Sequence, residues 1–231
     1  EERTLARSRL PWTVGMGTDP GLKRGYNQDS VGKQEPSDVR QLRSRGALYI
    51  VADGVGGGKA GEVASQMAIR ATIQRYYGAP PTMDNVGSLR HAIEEANEEV
   101  YHQSQGNPDW QGMATTIVAI VAQLDGRLIV ANAGDSSAYL VRNGQATVIS
   151  EEHSWVAEQV AAGILTVDQA KTHRRRHQIT RSLGRRPAVE VAISTREMLS
   201  NDIVVLCSDG ITDVIEDDEI AAAVRDDQPQ P

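Results

Sequence analysis

The chain has 231 residues, a net charge of −7, 39% hydrophobic and 24% charged residues. That balance suits one large globular domain or two small ones, with a core that needs no disulfide or metal staple. An acidic chain lacks the basic face that phosphate neutralisation needs, so DNA or RNA binding is excluded as its main task. Phe is absent, so the core must come from Val, Ile, Leu, Ala and a few Tyr and Trp. The one cysteine, Cys207, rules out a disulfide framework and fits a reducing, cytoplasmic setting. The longest apolar stretch, Ala114 to Ala122, is far short of the roughly 18 residues of a membrane span, and no signal-peptide pattern stands at the start. A first residue Glu1 and a last segment Asp226 to Pro231 suggest a domain cut from a longer protein.

In chain order, Glu1 to Leu10 is polar and expected to fray. Strand-like runs rich in Val and Ile follow at Trp12–Gly17, Ala47–Ala52, Thr115–Gln123, Arg127–Ala133, Ala138–Arg142, Ala146–Ile149, Val189–Ser194 and Ile203–Cys207. Asp125-Gly126 and Asn143-Gly144 are tight-turn dipeptides, so Thr115 to Ile149 is expected to form an antiparallel meander. Helical patterns occupy Gly61–Tyr77, Asn85–Gln105, Ser154–Gly163 and Asp218–Arg225. Two long helices before a meander and a helical stretch after it make an α+β fold, not an alternating one. There is no interdomain linker and no repeat, so residues 1–231 read as a single domain. Residues 151–186 interrupt the strands and carry His153, His173, His177 and Arg174-Arg175-Arg176, the pattern of a flap inserted in that domain or of a surface decoration.

Three apolar runs end on a carboxylate beside small residues: Ala52 on Asp53-Gly54, Gly134 on Asp135-Ser136, and Ser208 on Asp209-Gly210. If their strands are neighbours, the carboxylates converge. Two bare carboxylates about 4 Å apart repel by roughly 4 kcal/mol at an effective dielectric near 20. A hard divalent cation turns that repulsion into coordination, and an oxygen-only set favours Mg²⁺ or Mn²⁺ over Zn²⁺. Turn chemistry alone explains Asp125-Gly126, which joins two strands directly. It explains the three together less well.

Gly56, Gly58 and Gly61 also match G-x-G-x-x-G between a strand and a helix. The long helix to Tyr77 then meets Gly78, Pro80 and Pro81, where a dinucleotide fold needs a parallel strand with an acidic end. Walker A fails too, with Asp53 in place of its first Gly and Ala60 in place of Ser or Thr. Upstream, Arg24 stands before Asn27-Gln28-Asp29. It is either a solvated turn residue or a guanidinium that grips phosphate through paired hydrogen bonds.

Four motifs appear in order: Arg24-x-x-Asn27-Gln28-Asp29, Val51-Ala52-Asp53-Gly54-Val55-Gly56-Gly57, Ala131-Asn132-Ala133-Gly134-Asp135-Ser136 and Ser208-Asp209-Gly210-Ile211-Thr212-Asp213. Together they resemble the metal-dependent type-2C serine/threonine protein phosphatases in their bacterial form, over roughly Val14 to Val224. The flap is similar as well, in Glu152-His153-Ser154, Ala162 to Thr166 and Ile179 to Gly184. The resemblance implies a four-layer αββα sandwich of two antiparallel sheets flanked by helices. It implies two Mn²⁺ or Mg²⁺ ions in a cleft at one edge. Asp53 would bridge them, the Gly54 carbonyl would bind the second and Asp209 the first. Asp29 would hold metal-bound water, and Arg24 the substrate phosphate. A third, weaker ion would use Asp135 and Asp209. The implied reaction is single-step hydrolysis of phosphoserine and phosphothreonine by metal-activated water. Its partners would be phosphorylated proteins, substrates of a Ser/Thr kinase, met by a monomer.

Two departures stand beside this. Gly58 occupies the place where many bacterial members carry a His proposed as proton donor. The chain also stops at Pro231 before the Asp-Asn pair with which the family completes its first metal site, so an edge of one sheet is expected to lack a partner. These favour, as the alternative, a catalytically incomplete phosphatase-like domain that regulates or holds phosphoproteins. A nucleotide-binding protein using the glycine loop is the third reading. Arg174 to Arg176 are open to either role, phosphoprotein contact or solvated patch.

Overall fold

The computed structural model describes residues 10–22, 25–56 and 60–226. The first elements are β1 (Asp29–Gln34), α1 (Val39–Arg45), β2 (Ala47–Val55), α2 (Ala60–Gly78) and α3 (Asn85–Gly106). Five strands follow: β3 (Ala114–Thr115), β4 (Ile117–Ala122), β5 (Arg127–Ala133), β6 (Ser137–Arg142) and β7 (Gln145–Val148). The last elements are α4 (Trp155–Ala161), α5 (Val167–Thr172), β8 (Ala192–Glu197), β9 (Ile203–Cys207), α6 (Asp209–Thr212) and α7 (Asp217–Asp226).

The larger sheet runs β1-β2-β4-β5-β8, with β3 on the end of β2, and the smaller runs β7-β6-β9. Every pairing is antiparallel. β4 shows why its sequence is apolar throughout: all six residues are buried. Ile117, Ala119 and Val121 join the core under α2 and α3, whereas Val118, Ile120 and Ala122 join the core against the smaller sheet. Successive side chains of a strand point to opposite faces, so a sheet covered on both faces needs no polar positions.

α3 begins where the Asp84 side chain accepts from the Gly87 N–H at 2.6 Å. Its stripe Leu89, Ile93, Ala96 and Val100 is fully buried, each larger side chain contributing about 2 kcal/mol of apolar burial. α7 lays Ile220 on Tyr139 and Cys207 of the smaller sheet. The layers are therefore helices, large sheet, small sheet, helix, the four-layer α+β sandwich expected from the sequence. No helix among the described residues is long and apolar enough to cross a membrane.

Some expectations need correction. Trp12–Gly17 is not a strand. Trp12 is anchored by its side chain instead, its Nε1–H donating to Tyr49 Oη at 2.8 Å while the ring packs on the inter-sheet core. The meander is split. Its two hairpins form, with Gly126 at φ 87° in one and Asn143 and Gly144 at 52° and 77° in the other. But β5 pairs with β4 and β8, and β6 crosses to the other sheet. The crossing is made at Gly134, whose φ is 134°. Strand β1 was not anticipated. Its sequence DSVGKQ has no apolar alternation, which an edge strand does not require.

Residues 151–186 contain α4 and α5. An isolated bridge between Ser154 and Ile179 closes the segment on itself, and the segment is joined to the body by the bridge of the fully buried Leu183 with Thr115 and by the His153 N–H donating to the Gly134 carbonyl.

Candidate metal centre

Asp53 lies inside β2, not at its end. Its N–H donates to Thr116 Oγ1 at 3.0 Å, and its carbonyl accepts from the Thr116 N–H and the Thr115 hydroxyl at 2.8 and 2.9 Å. Asp29 is its Cα partner on β1. The Asp29 carboxylate is held from the other sheet: Ser208 Oγ–H donates to Asp29 Oδ2 at 2.6 Å. Ser208 follows β9, and Asp209 opens α6 directly after it.

Asp135 sits in the turn by which the chain changes sheets. That turn is tightly fixed. Asn132 Nδ2–H donates to the carbonyls of Gly134 and Ser136, and the hydroxyls of Thr116 and Ser136 meet at 2.7 Å. Gly134 exchanges hydrogen bonds with His153, its N–H donating to Nδ1 and its carbonyl accepting from the His153 N–H.

Convergence thus occurs, but not between neighbouring strands as expected. β4 separates β2 from β5, and β9 belongs to the smaller sheet. Asp53 and Asp209 come within hydrogen-bonding reach, and Asp29 and Asp135 close enough for their charges to act, because the two sheets face each other and their strand ends share one edge.

The electrostatics record the crowding. Burial, then the charges of Asp29 and Asp209, a hydrogen bond with Asp209 and the charge of Asp135 push the Asp53 carboxyl up to about 9. Burial followed by the Asp209 charge pushes Asp135 up to about 7. Asp209 is also raised, first by burial. Among the described residues no Lys or Arg pairs with any of these carboxylates. Asp135 Oδ1 is fully buried and accepts no hydrogen bond. Buried anionic oxygens without donors are costly. Hard divalent cations are the ligands that such an oxygen set fits.

The glycines at this site serve close backbone approach. A Cβ on Gly54 would stand 2.0 Å from the Gly61 carbonyl oxygen, and one on Gly61 would stand 2.4 Å from Gln28 Nε2. Gln28, buried, also donates to the Gly56 carbonyl at 3.1 Å. The glycine pattern is therefore packing of the β2–α2 turn on β1, not a nucleotide cradle. Arg24 and Gly58 lie outside the described residues.

The sequence reading missed two residues here. Asp213 and His177 have ligand atoms within 4.8 Å of one another and of an Asp209 oxygen, and His177 Nδ1 lies 3.4 Å from Asp213 Oδ2. Asp209 and Asp213 are four apart at a helical turn, a spacing that puts both on one face and was legible. His177 arrives from the flap, which no local pattern announces. Of the flap arginines, Arg175 is a packing residue, its guanidinium 4.0 Å over the Trp155 ring, whose other neighbour is His173. Cys207, just before Ser208, is buried, and that burial pushes its thiol up to about 11.

The sequence profile of the family described as protein phosphatase 2C matches residues 23–227. The chain belongs to that family. Its membership makes it a phosphatase, a hydrolase, as the four motifs implied. A serine/threonine phosphatase of Listeria monocytogenes, Stp, is 35% identical over 212 residues, spanning 90% of this chain and 81% of the relative. The crystal structure of the Mycobacterium tuberculosis serine/threonine phosphatase PstP matches with a TM-score of 0.77 at 35% identity, covering 91% of this chain and 83% of that one. A second crystal structure, the PstP catalytic domain in complex with two manganese ions, gives a TM-score of 0.73 at 35% identity over 90% of this chain and 81% of that one. These protein phosphatase 2C relatives are bacterial, in keeping with the form the motifs resemble.

Proposed function

We propose that this chain hydrolyses phosphoserine and phosphothreonine in proteins phosphorylated by a Ser/Thr kinase, with Mn²⁺ or Mg²⁺ as cofactor. The observation that carries this is the crowding of Asp53, Asp135 and Asp209, whose carboxyls are raised and have no Lys or Arg partner among the described residues, beside Asp29 where the facing sheets share an edge. Such a set is unfavourable by itself and favourable around cations. The named relatives support this reading: they are serine/threonine phosphatases, and one of them is a complex with two manganese ions.

In this reading Asp53, Asp209 and the Gly54 carbonyl would hold the two ions, and Asp135 with Asp209 would hold a third. Bound there, the cations supply positive charge to a phosphate ester and make a water nucleophile available near neutral pH. The chain's own part is positioning. Ser208 orients Asp29 by donating to Oδ2, so Oδ1 is the oxygen left to accept from water in the cleft. Thr115 and Thr116 hold the Asp53 backbone rigid. Arg24 is assigned to the substrate phosphate.

The test is hydrolysis of a phosphothreonine peptide titrated with Mn²⁺ and with Mg²⁺, for the wild type and Asp209→Ala, with metal binding followed by calorimetry. Metal-dependent turnover that Asp209→Ala loses together with a calorimetric site is expected. Undiminished turnover in Asp209→Ala overturns the assignment.

A further inference from the structure

A groove of about 670 Å³ opens beside the carboxylate cluster, lined chiefly by Thr18, Asp29, Val31, Ile69, Arg70 and Ile73. One wall is the free edge of the larger sheet. β1 is the first strand of that sheet and pairs only with β2 among the described residues. The Gly54 N–H donates to the Gln28 carbonyl, which sets the phase of the pair. Residues 28, 30, 32 and 34 therefore turn their backbone groups to β2, and 29, 31 and 33 turn theirs outward. The Asp29 N–H is taken by Asn27 Oδ1 at 2.9 Å. The outward groups of Val31 and Lys33 have no partner among the described residues.

The other wall is α2. It runs beside β1 away from the cluster: Ser65 Oγ meets Ser30 Oγ at 2.8 Å, Ile69 lies over Gly32, and the Tyr77 hydroxyl donates to the Gln34 carbonyl. Gln66, Ile69, Arg70, Ile73 and Gln74 share one helical face. Ile69 and Ile73 give it an apolar floor. Arg70 is exposed and makes no ion pair among the described residues, in a chain whose net charge is −7. Its β1 wall, Asp29 to Val31, is about 7 Å long and its α2 wall, Gln66 to Gln74, about 12 Å, room for about three or four extended residues.

We propose that this groove seats the polypeptide flanking the phosphorylated residue of a substrate protein. The segment lies extended, hydrogen-bonded to the free edge of β1, with an apolar side chain on Ile73 and an acidic one at Arg70. Edge-strand addition gives sequence-independent affinity, and the side-chain contacts give selectivity. Continuity decides the occupant. Asp29 belongs both to the cluster and to the groove, so a chain that delivers a phosphate to the cluster leaves it along β1. The inference rests on the phosphatase reading.

The test uses two phosphothreonine peptides, one with Asp and one with Lys placed on both sides of the phosphoresidue, and p-nitrophenyl phosphate, which has no flanking chain to reach from the cluster into the groove. Arg70→Glu is expected to lower kcat/KM on the Asp peptide about tenfold and to raise it on the Lys peptide, with p-nitrophenyl phosphate unchanged. Val31→Pro removes one outward N–H and leaves the ladder to β2 intact, so both peptides are expected to weaken about equally and the small ester not at all. Equal losses on peptide and small ester, or an Asp-to-Lys ratio that Arg70→Glu does not move, overturn the proposal. Anisotropy of the labelled peptides separates it from the phosphatase reading. If the wild type hydrolyses nothing yet prefers the Asp peptide through Arg70, the groove stands and the phosphatase reading falls. With no such preference, both fall.

Discussion

Asp29 and Asp53 face each other across the β1–β2 pair as a non-hydrogen-bonded couple, the closer of the two antiparallel arrangements, with Cα atoms about 4.5 Å apart. Like charges placed directly opposite destabilise a sheet. The metal-free fold relieves that repulsion only by keeping a proton on Asp53, a cation reverses it, and the site is built at the expense of the metal-free protein.

Replacing Asp53 by Asn removes that repulsion and the bridging ligand together. Metal-free Asp53→Asn is expected to be more stable than metal-free wild type by about 1 kcal/mol, or about 2–4 °C in melting temperature for a domain this size. Mn²⁺-dependent hydrolysis is expected to vanish in the same variant. A metal-free melting temperature below that of wild type contradicts the argument.

The same carboxyl sets a pH dependence. Its folded value, about 9 without a cation, lies above the ordinary 3.8. The folded state therefore holds a proton that the unfolded state has released. The associated stability is complete below 3.8 and is lost as pH rises toward 9. In chelator, wild type is expected to lose melting temperature relative to Asp53→Asn between pH 5 and 9, and saturating Mn²⁺ is expected to abolish that difference in slope. Parallel wild-type and Asp53→Asn curves in chelator would rule this out.

Gly54→Ala tests the close approach of β2 to the start of α2. The new methyl falls 2.0 Å from the Gly61 carbonyl oxygen and 2.7 Å from that of Gln28, both backbone atoms that cannot swing away. A loss of about 1–3 kcal/mol is expected, with weaker Mn²⁺ binding by calorimetry because the Asp53 end of β2 is displaced. Wild-type stability and affinity would show that the turn yields without cost.

Arg45 lies on the far end of the larger sheet and tests scaffold without chemistry. Its guanidinium donates to the carbonyls of Ala79, Pro80 and Met83, to Asn85 Oδ1 and to Ser88 Oγ, all at 2.8–3.1 Å. Arg45→Met strands these acceptors, at about 3–5 kcal/mol. Denaturant melts are expected to show that loss while kcat of the folded fraction stays unchanged. A parallel loss of kcat would link the α2–α3 connection to the site.

How far the sequence reached depends on where each residue gets its instructions. β5 and β9 have the bounds expected, Arg127–Ala133 and Ile203–Cys207, because each is built on a run of Leu, Ile and Val between turn residues. α1 and α5 were not anticipated. α1 is seven residues whose last, Arg45, is fixed by the loop after α2, and α5 is six residues, none of them buried, set by the Thr166–Gln169 capping box. Asp53, Asp135 and Asp209 were marked by their position after apolar runs. What brought them together, two sheets stacked face to face with a common edge and Ser208 reaching Asp29 across 179 positions, is tertiary and leaves no local trace.

The buried Cys207 carries a consequence for the conditions under which the enzyme can work. With its thiol at about 11, on the order of one molecule in ten thousand carries a thiolate at pH 7. Peroxide and disulfides react with the thiolate and need access to it. The proposed hydrolysis uses oxygen ligands and no sulfur. Peroxide that silences hydrolases dependent on a reactive thiolate is therefore expected to spare the proposed hydrolysis at Cys207, since neither the thiolate nor access to it is provided there.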